Sequence, residues 1–244
     1  MSTTSFRVLV QIMAEPRAES FHQFEKLFGL FFAGGEVTEI RALNLSGKGP
    51  WVGWARGQVT GYFDDPKKFA EAAAKLEAHG KASGIYFIPN PVKPALLARA
   101  ANRLKAADVA TTDKDIVHLR WLLIDTDAER PAGISATEDE EKAALAVRDQ
   151  VAAWLAERGW PSPIRARSGN GGHLLYRLPD LEPTIENTEL LKRCLQALSA
   201  KFTSPAVKID EKVFNPARIW KLYGTTSRKG DNTTERPHRR SEIQ

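Results

Sequence analysis

Two carboxylates one residue apart, Asp125 and Asp127, follow the apolar run Trp121-Leu122-Leu123-Ile124. Such a run reads as a buried strand, and alternation along a strand puts both carboxylates on one face with Thr126 on the other. Like charges so placed repel by about 1 kcal/mol in water and by a few times more near a protein surface, so a cation between them is expected. Mg²⁺ or Mn²⁺ suits oxygen ligands and is commonly held by one or two carboxylates together with substrate phosphates. A solvated turn after a strand has the same local pattern, and the rest of the chain has to separate the two readings.

Three further groups bear on that choice. The turn Ser168-Gly169-Asn170-Gly171-Gly172 leads into His173; backbone N–H groups in such turns form anion-binding concavities, and an imidazole beside them can donate to a phosphate. Asp210 ends the short strand Val207-Lys208-Ile209 and repeats the pattern of an apolar strand closed by a carboxylate. Arg218, Lys221, Arg228 and Lys229 follow, and lysine and arginine are the natural partners of a triphosphate. Each has a plain structural explanation: a packed histidine, a turn aspartate, a solvated basic face. Together they supply metal ligands, a phosphate-binding turn and basic clamps, the equipment of two-metal nucleotidyl transfer.

Other nucleotide signatures fail. A dinucleotide-type G-x-G-x-x-G would need its last glycine at Leu174, and the loop enters a strand instead of a helix; no GxxxxGK[ST] occurs. The five histidines, His22, His79, His118, His173 and His238, contain no HxH pair, which disfavours a rolling-circle initiator. Cys194 is the single cysteine, excluding an internal disulfide and a Cys-rich zinc site, so no zinc is expected and a reducing, cytoplasmic setting is. With 42% hydrophobic and 27% charged residues, the 244-residue chain has an ordinary globular composition, and its net charge of +5 favours an anionic partner. No signal peptide is evident, and the most apolar early segment, Leu27 to Ala33, is too short to span a bilayer, so no membrane partner is expected.

The positioning elements follow from periodicity. A strand is expected over Phe6 to Met13, then a helix over Glu19 to Phe32 with Phe21, Phe24, Leu27, Phe28 and Phe31 on its inner face. Strands over Val37 to Leu43 and Trp51 to Phe63 flank the turn at 46–50 and open a βαβ-like region with a helix over Lys67 to His79 and a strand over Gly84 to Ile88. A helix over Ala95 to Lys105 and a loop over Ala107 to Asp115 lead to the strand with the aspartate pair. Thr137 and Glu140 form a capping box for a helix that ends at Gly159. Strands over Ile164 to Arg167 and His173 to Leu178, a helix over Asn187 to Phe202, and strands over Val207 to Ile209 and Arg218 to Leu222 complete the set. The polar residues 233–244 read as a flexible tail or linker.

The order D-x-D, then SGxGxH, then a strand-end Asp followed by NPAR-x-WKLYGT-x-x-RK resembles the archaeo-eukaryotic primase superfamily, specifically the primase-polymerase domains of bacterial, plasmid and phage replication proteins. The resemblance is densest from Arg120 to Lys229, and the segment GIYFIPNPVKPALLARAANRL resembles the stretch before the first motif. It implies an α/β (α+β) fold with an N-terminal α/β module over 1–110 beside an RRM-like catalytic module over 111–232, the active site lying in the cleft between them. It further implies Asp125, Asp127 and Asp210 as ligands of a two-metal Mg²⁺ or Mn²⁺ site. Ser168, His173, Arg218, Lys221 and Lys229 become the nucleotide-binding set. The implied partners are single-stranded DNA template, primer and (d)NTPs, with a helicase module in the same full-length protein as a further one. One position departs: where many members show Ser-x-His, the serine position holds Gly171. A non-catalytic single-strand or origin DNA-binding module and a metal-dependent nuclease stand as alternatives.

Overall fold

The computed structural model describes residues 21–244; the strand expected over residues 6–13 and the beginning of the first expected helix lie outside the described residues. Helix α1, over residues 21–31, buries Phe24, Leu27, Phe28 and Phe31, as its spacing requires. Strands β1 (Thr38–Gly49) and β2 (Trp51–Phe63) form an antiparallel hairpin, with Ala42, Leu45, Ala55 and Val59 turned inward. Asp65 accepts from the backbone N–H of Lys67 and Lys68 and so starts α2 (Pro66–His79), which buries Phe69, Ala73 and Leu76. Strand β3 (Gly84–Phe87) pairs with the other edge of β1. Because β2 and β3 both run antiparallel to β1, they are parallel to each other, and α2 is the crossover of the expected βαβ-like unit with one strand inserted.

The helix expected over Ala95 to Lys105 is not formed; a 3-10 turn, Pro94–Arg99, is all that remains of it. Tyr62 N–H donates to Ala100 O at 3.1 Å and Asn102 N–H to Tyr62 O at 2.8 Å, so the open edge of β2 takes these backbone groups from the helix. Strand β4 (Lys105–Ala106) continues that edge. Tertiary pairing outweighs the helical propensity of an Ala/Leu/Arg run.

The second sheet is built on β5 (Leu119–Ala128) and β7 (Gly171–Leu181), flanked by β6 (Ile164–Arg167), β8 (Val207–Ile209) and β12 (Glu242–Ile243) in the order β12-β6-β7-β5-β8. Helices α3 (Glu138–Ala156) and α4 (Ile185–Phe202) pack on this sheet. The Thr137–Glu140 capping box is formed on both sides, at 3.2 and 2.8 Å. The whole is a mixed α/β fold of antiparallel sheets with helices, and one core joins the two halves: the Phe31 ring lies 4.9 Å from Phe87 and 4.9 Å from Trp121. Among the described residues no helix is long and apolar enough to cross a membrane.

Two segments correct the expectations. Strand β9 (Trp220–Lys221), shorter than expected, pairs with β3 and completes the first sheet as β4-β2-β1-β3-β9, so the chain recrosses the division placed at residue 110. The C-terminal segment is not a tail: β11 (Arg239–Arg240) pairs with β10 (Thr226–Ser227), β12 pairs with β6, and Ser241 is fully buried. Polar composition hid this because the segment is held by its backbone and by ion pairs such as Arg236–Glu140 at 2.8 Å.

Arg120 ties the halves together at the far end of β5. Its backbone N–H donates to Asn90, and its guanidinium pairs with Glu36 at 2.7 Å and Asp180 at 2.6 Å. Those bonds hold Asp180 down to about 2, and the same arginine lowers Glu36. Both carboxylates ionise at lower pH in the folded chain, so their contribution is complete above the unfolded pKa near 4 and is lost as pH falls toward about 2. Arg120→Met is expected to cost about 2–3 kcal/mol in urea denaturation at neutral pH, less than a fully buried pair because both acids are partly exposed. It should also flatten the loss of stability between about pH 4 and 2; equal acid sensitivity in the two proteins would refute this role.

Candidate active site

Thr126 is fully buried toward α3, its hydroxyl facing Ala144 O at 2.9 Å and Gly172 O at 3.0 Å. Strand alternation then turns Asp125 and Asp127 the other way, into a cleft of about 260 Å³ whose opposite side includes Leu43 and Tyr86 of the first sheet. Register brings the partners in. Asp125 lies opposite His173 and Asp127 opposite Gly171 on β7, while on the other side of β5 the Asp210 N–H donates to Asp125 O at 3.0 Å. Ser168, Asp210, Arg218, Lys221 and Lys229 line the same cleft, so all eight residues singled out from the sequence meet in one place.

Each carboxylate has its own partner. Arg130 grips Asp127 with two bonds, at 2.6 and 3.1 Å, and is itself fixed by Ala128 O and Ile134 O. Asp125 faces His173 Nε2 at 3.5 Å. Burial raises both acids, but the imidazole, Lys229 and Arg130 outweigh it at Asp125, whose pKa is lowered. At Asp127 the Asp125 charge adds to burial, Arg130 and Lys229 oppose it only in part, and the pKa is raised.

Behind His173 runs a buried hydrogen-bonded chain. Trp220 Nε1, which can only donate, gives its hydrogen to the Tyr223 hydroxyl at 2.7 Å. The hydroxyl lies 2.9 Å from His173 Nδ1; when it donates its proton there, the neutral imidazole carries its own on Nε2, facing Asp125. The Trp220 ring, 4.1 Å from the imidazole, stacks against it.

The remaining expected residues differ in what they leave free. Ser168 Oγ accepts from the N–H groups of Asn170 and Gly171 and is spent on its own turn. A Cβ at Gly171 would strike Thr126 O and come within 3.2 Å of an Asp127 oxygen, so no side chain fits at the position where the resemblance places a serine. Lys221 is buried, donates to Thr226 O at 3.1 Å, and is pushed by burial down to about 7, with Glu77 opposing the shift and Arg228 and Lys229 adding to it. Arg218 reaches Lys212 O, while its Nε is buried without a partner among the described residues. Asp210 accepts from Lys212 N–H at 2.8 Å.

The donor chemistry at Asp125 and Asp127 suits a hard divalent ion, since a cation would relieve the repulsion that raises Asp127. The three-carboxylate set is not assembled, however: among the described residues no group of three or more His, Cys, Asp or Glu lies close enough together to hold a metal, and Arg130 stands at Asp127 in its stead. Sequence reasoning missed Arg130, Tyr223 and Trp220. Arg130 follows Asp127 by three residues, a spacing visible in the chain, but its direction depends on how the chain turns after β5. Tyr223 and Trp220 sit in the WKLYG run, where nothing local indicates that their polar tips meet His173.

No protein-family profile matches the sequence, and no curated protein matches it. Among solved structures the chain is similar to the polymerase domain of Mycobacterium tuberculosis Ligase D, in complex with DNA. That similarity has a TM-score of 0.45 and 18% identity over 91% of this chain and 80% of that one.

Tyr223→Phe removes the hydroxyl that meets His173 Nδ1 and takes from the buried Trp220 N–H its acceptor. The expected loss is about 1–2 kcal/mol of stability, together with a mixture of imidazole tautomers in long-range ¹H–¹⁵N spectra, where the parent protein shows the Nε2–H form. A parent spectrum already mixed would overturn the assignment.

Proposed function

We propose that this chain is a DNA primase-polymerase catalytic domain that transfers nucleotides from (d)NTPs on a single-stranded DNA template. The observation that supports it is the meeting of both signs of charge in one cleft: Asp125, Asp127 and Asp210 line it together with Arg218, Lys221 and Lys229. That is the charge pattern of a cation-bound triphosphate. Asp125 and Asp127 would hold Mg²⁺ or Mn²⁺ with Asp210 beside them, and the ion would supply charge neutralisation at the α-phosphate and activation of the attacking 3′-OH. Lys229 and Arg218, whose Nε has no partner among the described residues, hold the β- and γ-phosphates, and His173 lies beside Asp125 in the same cleft. Binding requires Arg130 to leave Asp127.

The deciding assay is primer-free synthesis on single-stranded DNA with Mg²⁺ or Mn²⁺ and each nucleotide pool in turn. The Asp125→Ala/Asp127→Ala protein should lose incorporation entirely and keep template binding; extension by that variant sinks the reading. A second reading, a single-strand-binding module without turnover, draws on the Arg130–Asp127 pair and the unassembled carboxylate set. Calorimetry of dNTP with and without metal separates the two, since metal-dependent binding belongs only to the enzyme.

Lys221 adds a linked prediction. A neighbouring triphosphate favours the charged amine, so a lysine near 7 takes up a proton on binding when the pH lies above that value. At about pH 8, dNTP binding enthalpies should depend on the ionisation enthalpy of the buffer, with net proton uptake that Lys221→Arg abolishes. Buffer-independent heats in the parent protein would remove Lys221 from the site.

A further inference from the structure

The β1–β2 hairpin carries a surface that the cleft does not use. From Arg41 to Phe63 the chain has three cations, Arg41, Lys48 and Arg56, and neither Asp nor Glu. Arg41 is committed to Glu39 at 2.8 Å. Lys48 and Arg56 are exposed, and among the described residues neither has an ion-pair partner. Inward Ala55 and Val59 fix the other face of β2 as that of Trp54, Arg56 and Gln58. Trp54 is 63% exposed, with one edge of its ring over Gly47, and Val52 beside it is 57% exposed.

This face is continuous with the cleft. Leu43 pairs with Gln58, Arg41 with Tyr86, and both Leu43 and Tyr86 line the cleft. From Gln58 to Trp54 is four residues along β2, about 13 Å at roughly 3.3 Å per residue. The path therefore runs from the cleft over a cationic, acid-free strand to an open aromatic face.

We propose that this face is the track of the single-stranded nucleic acid leaving the cleft, with a base stacked on Trp54 and phosphates against Arg56 and Lys48. Single-strand binding combines a cationic path for the backbone with aromatic faces for successive bases, and both are present here in sequence-tolerant form. The direction of the strand rests on the proposed cleft function; the binding itself does not. A second copy of the chain is the other occupant for an exposed Trp/Val surface, but a two-fold contact there would set the hairpin's cations against one another with no acid to pair them.

The test is fluorescence anisotropy of labelled oligothymidylates, short and long, with the full chain and without nucleotide or metal. Trp54→Ala should weaken binding of the long oligomer by at least about five-fold, the effect of losing one stacked base. Trp54→Phe should recover most of it, and Arg56→Gln should reduce the salt slope by about 0.7. Melting temperatures should not move, because both side chains are exposed. Equal binding by Trp54→Ala and the parent protein, or no binding by the parent, overturns the proposal. So does a concentration-dependent dimer in sedimentation that Trp54→Ala abolishes while strand binding stays intact. A Trp54 effect in a protein that never incorporates nucleotides would leave this surface standing and remove only the catalytic reading.

Discussion

The hydroxyl of Thr126 is a small group with a large consequence. Buried against Ala144 O and Gly172 O, it pins β5 to α3 and to its neighbour β7 at one residue. A slip by one position would carry both aspartates into the core and a hydroxyl into the cleft. The glycines opposite serve the same register: Gly172 lets α3 approach, since a Cβ there would meet Arg148 and Thr126 Oγ1 at 2.8 Å. Everything polar in the cleft depends on that choice of face.

The cleft's electrostatics follow from charges of both signs brought into one partly buried site. Asp125 is held as the stronger acid and Asp127 as the weaker, with Arg130 compensating the latter. On β9 of the first sheet, burial weakens Lys221 as a base, so that amine is not fully charged at neutral pH. Partly buried charges of both signs in one cleft are costly until each meets a partner, the usual condition of a site shaped for a ligand.

Much of this was legible in the chain because it rests on periodicity and end signals. The aspartate pair, the helix capped by Thr137 and Glu140, the turn at 168–172 and the strand at Val207–Ile209 are local features, and all appear. What was not legible is set by partners remote in sequence. Residues 100–102 gave up a helix because β2 had an edge to fill, β9 joined the first sheet because β3 did, and residues 239–243 became strands on β10 and β6 despite a composition suited to a tail. In the site itself, residue types marked the eight clefted positions, while the orientation of Arg130 and the Trp220–Tyr223–His173 chain came only from the fold.

The two-residue strand β9 pairs with β3, yet its Trp220, together with Tyr223 just beyond it, orients a histidine of the opposite sheet. The cleft therefore has a crossbar through its floor. Spreading the sheets would separate buried hydrogen-bond partners and part an aromatic pair, which opposes a clamshell opening. A cleft braced in this way would capture a ligand at a rate set by steering from surface charge instead of by the opening of a gate.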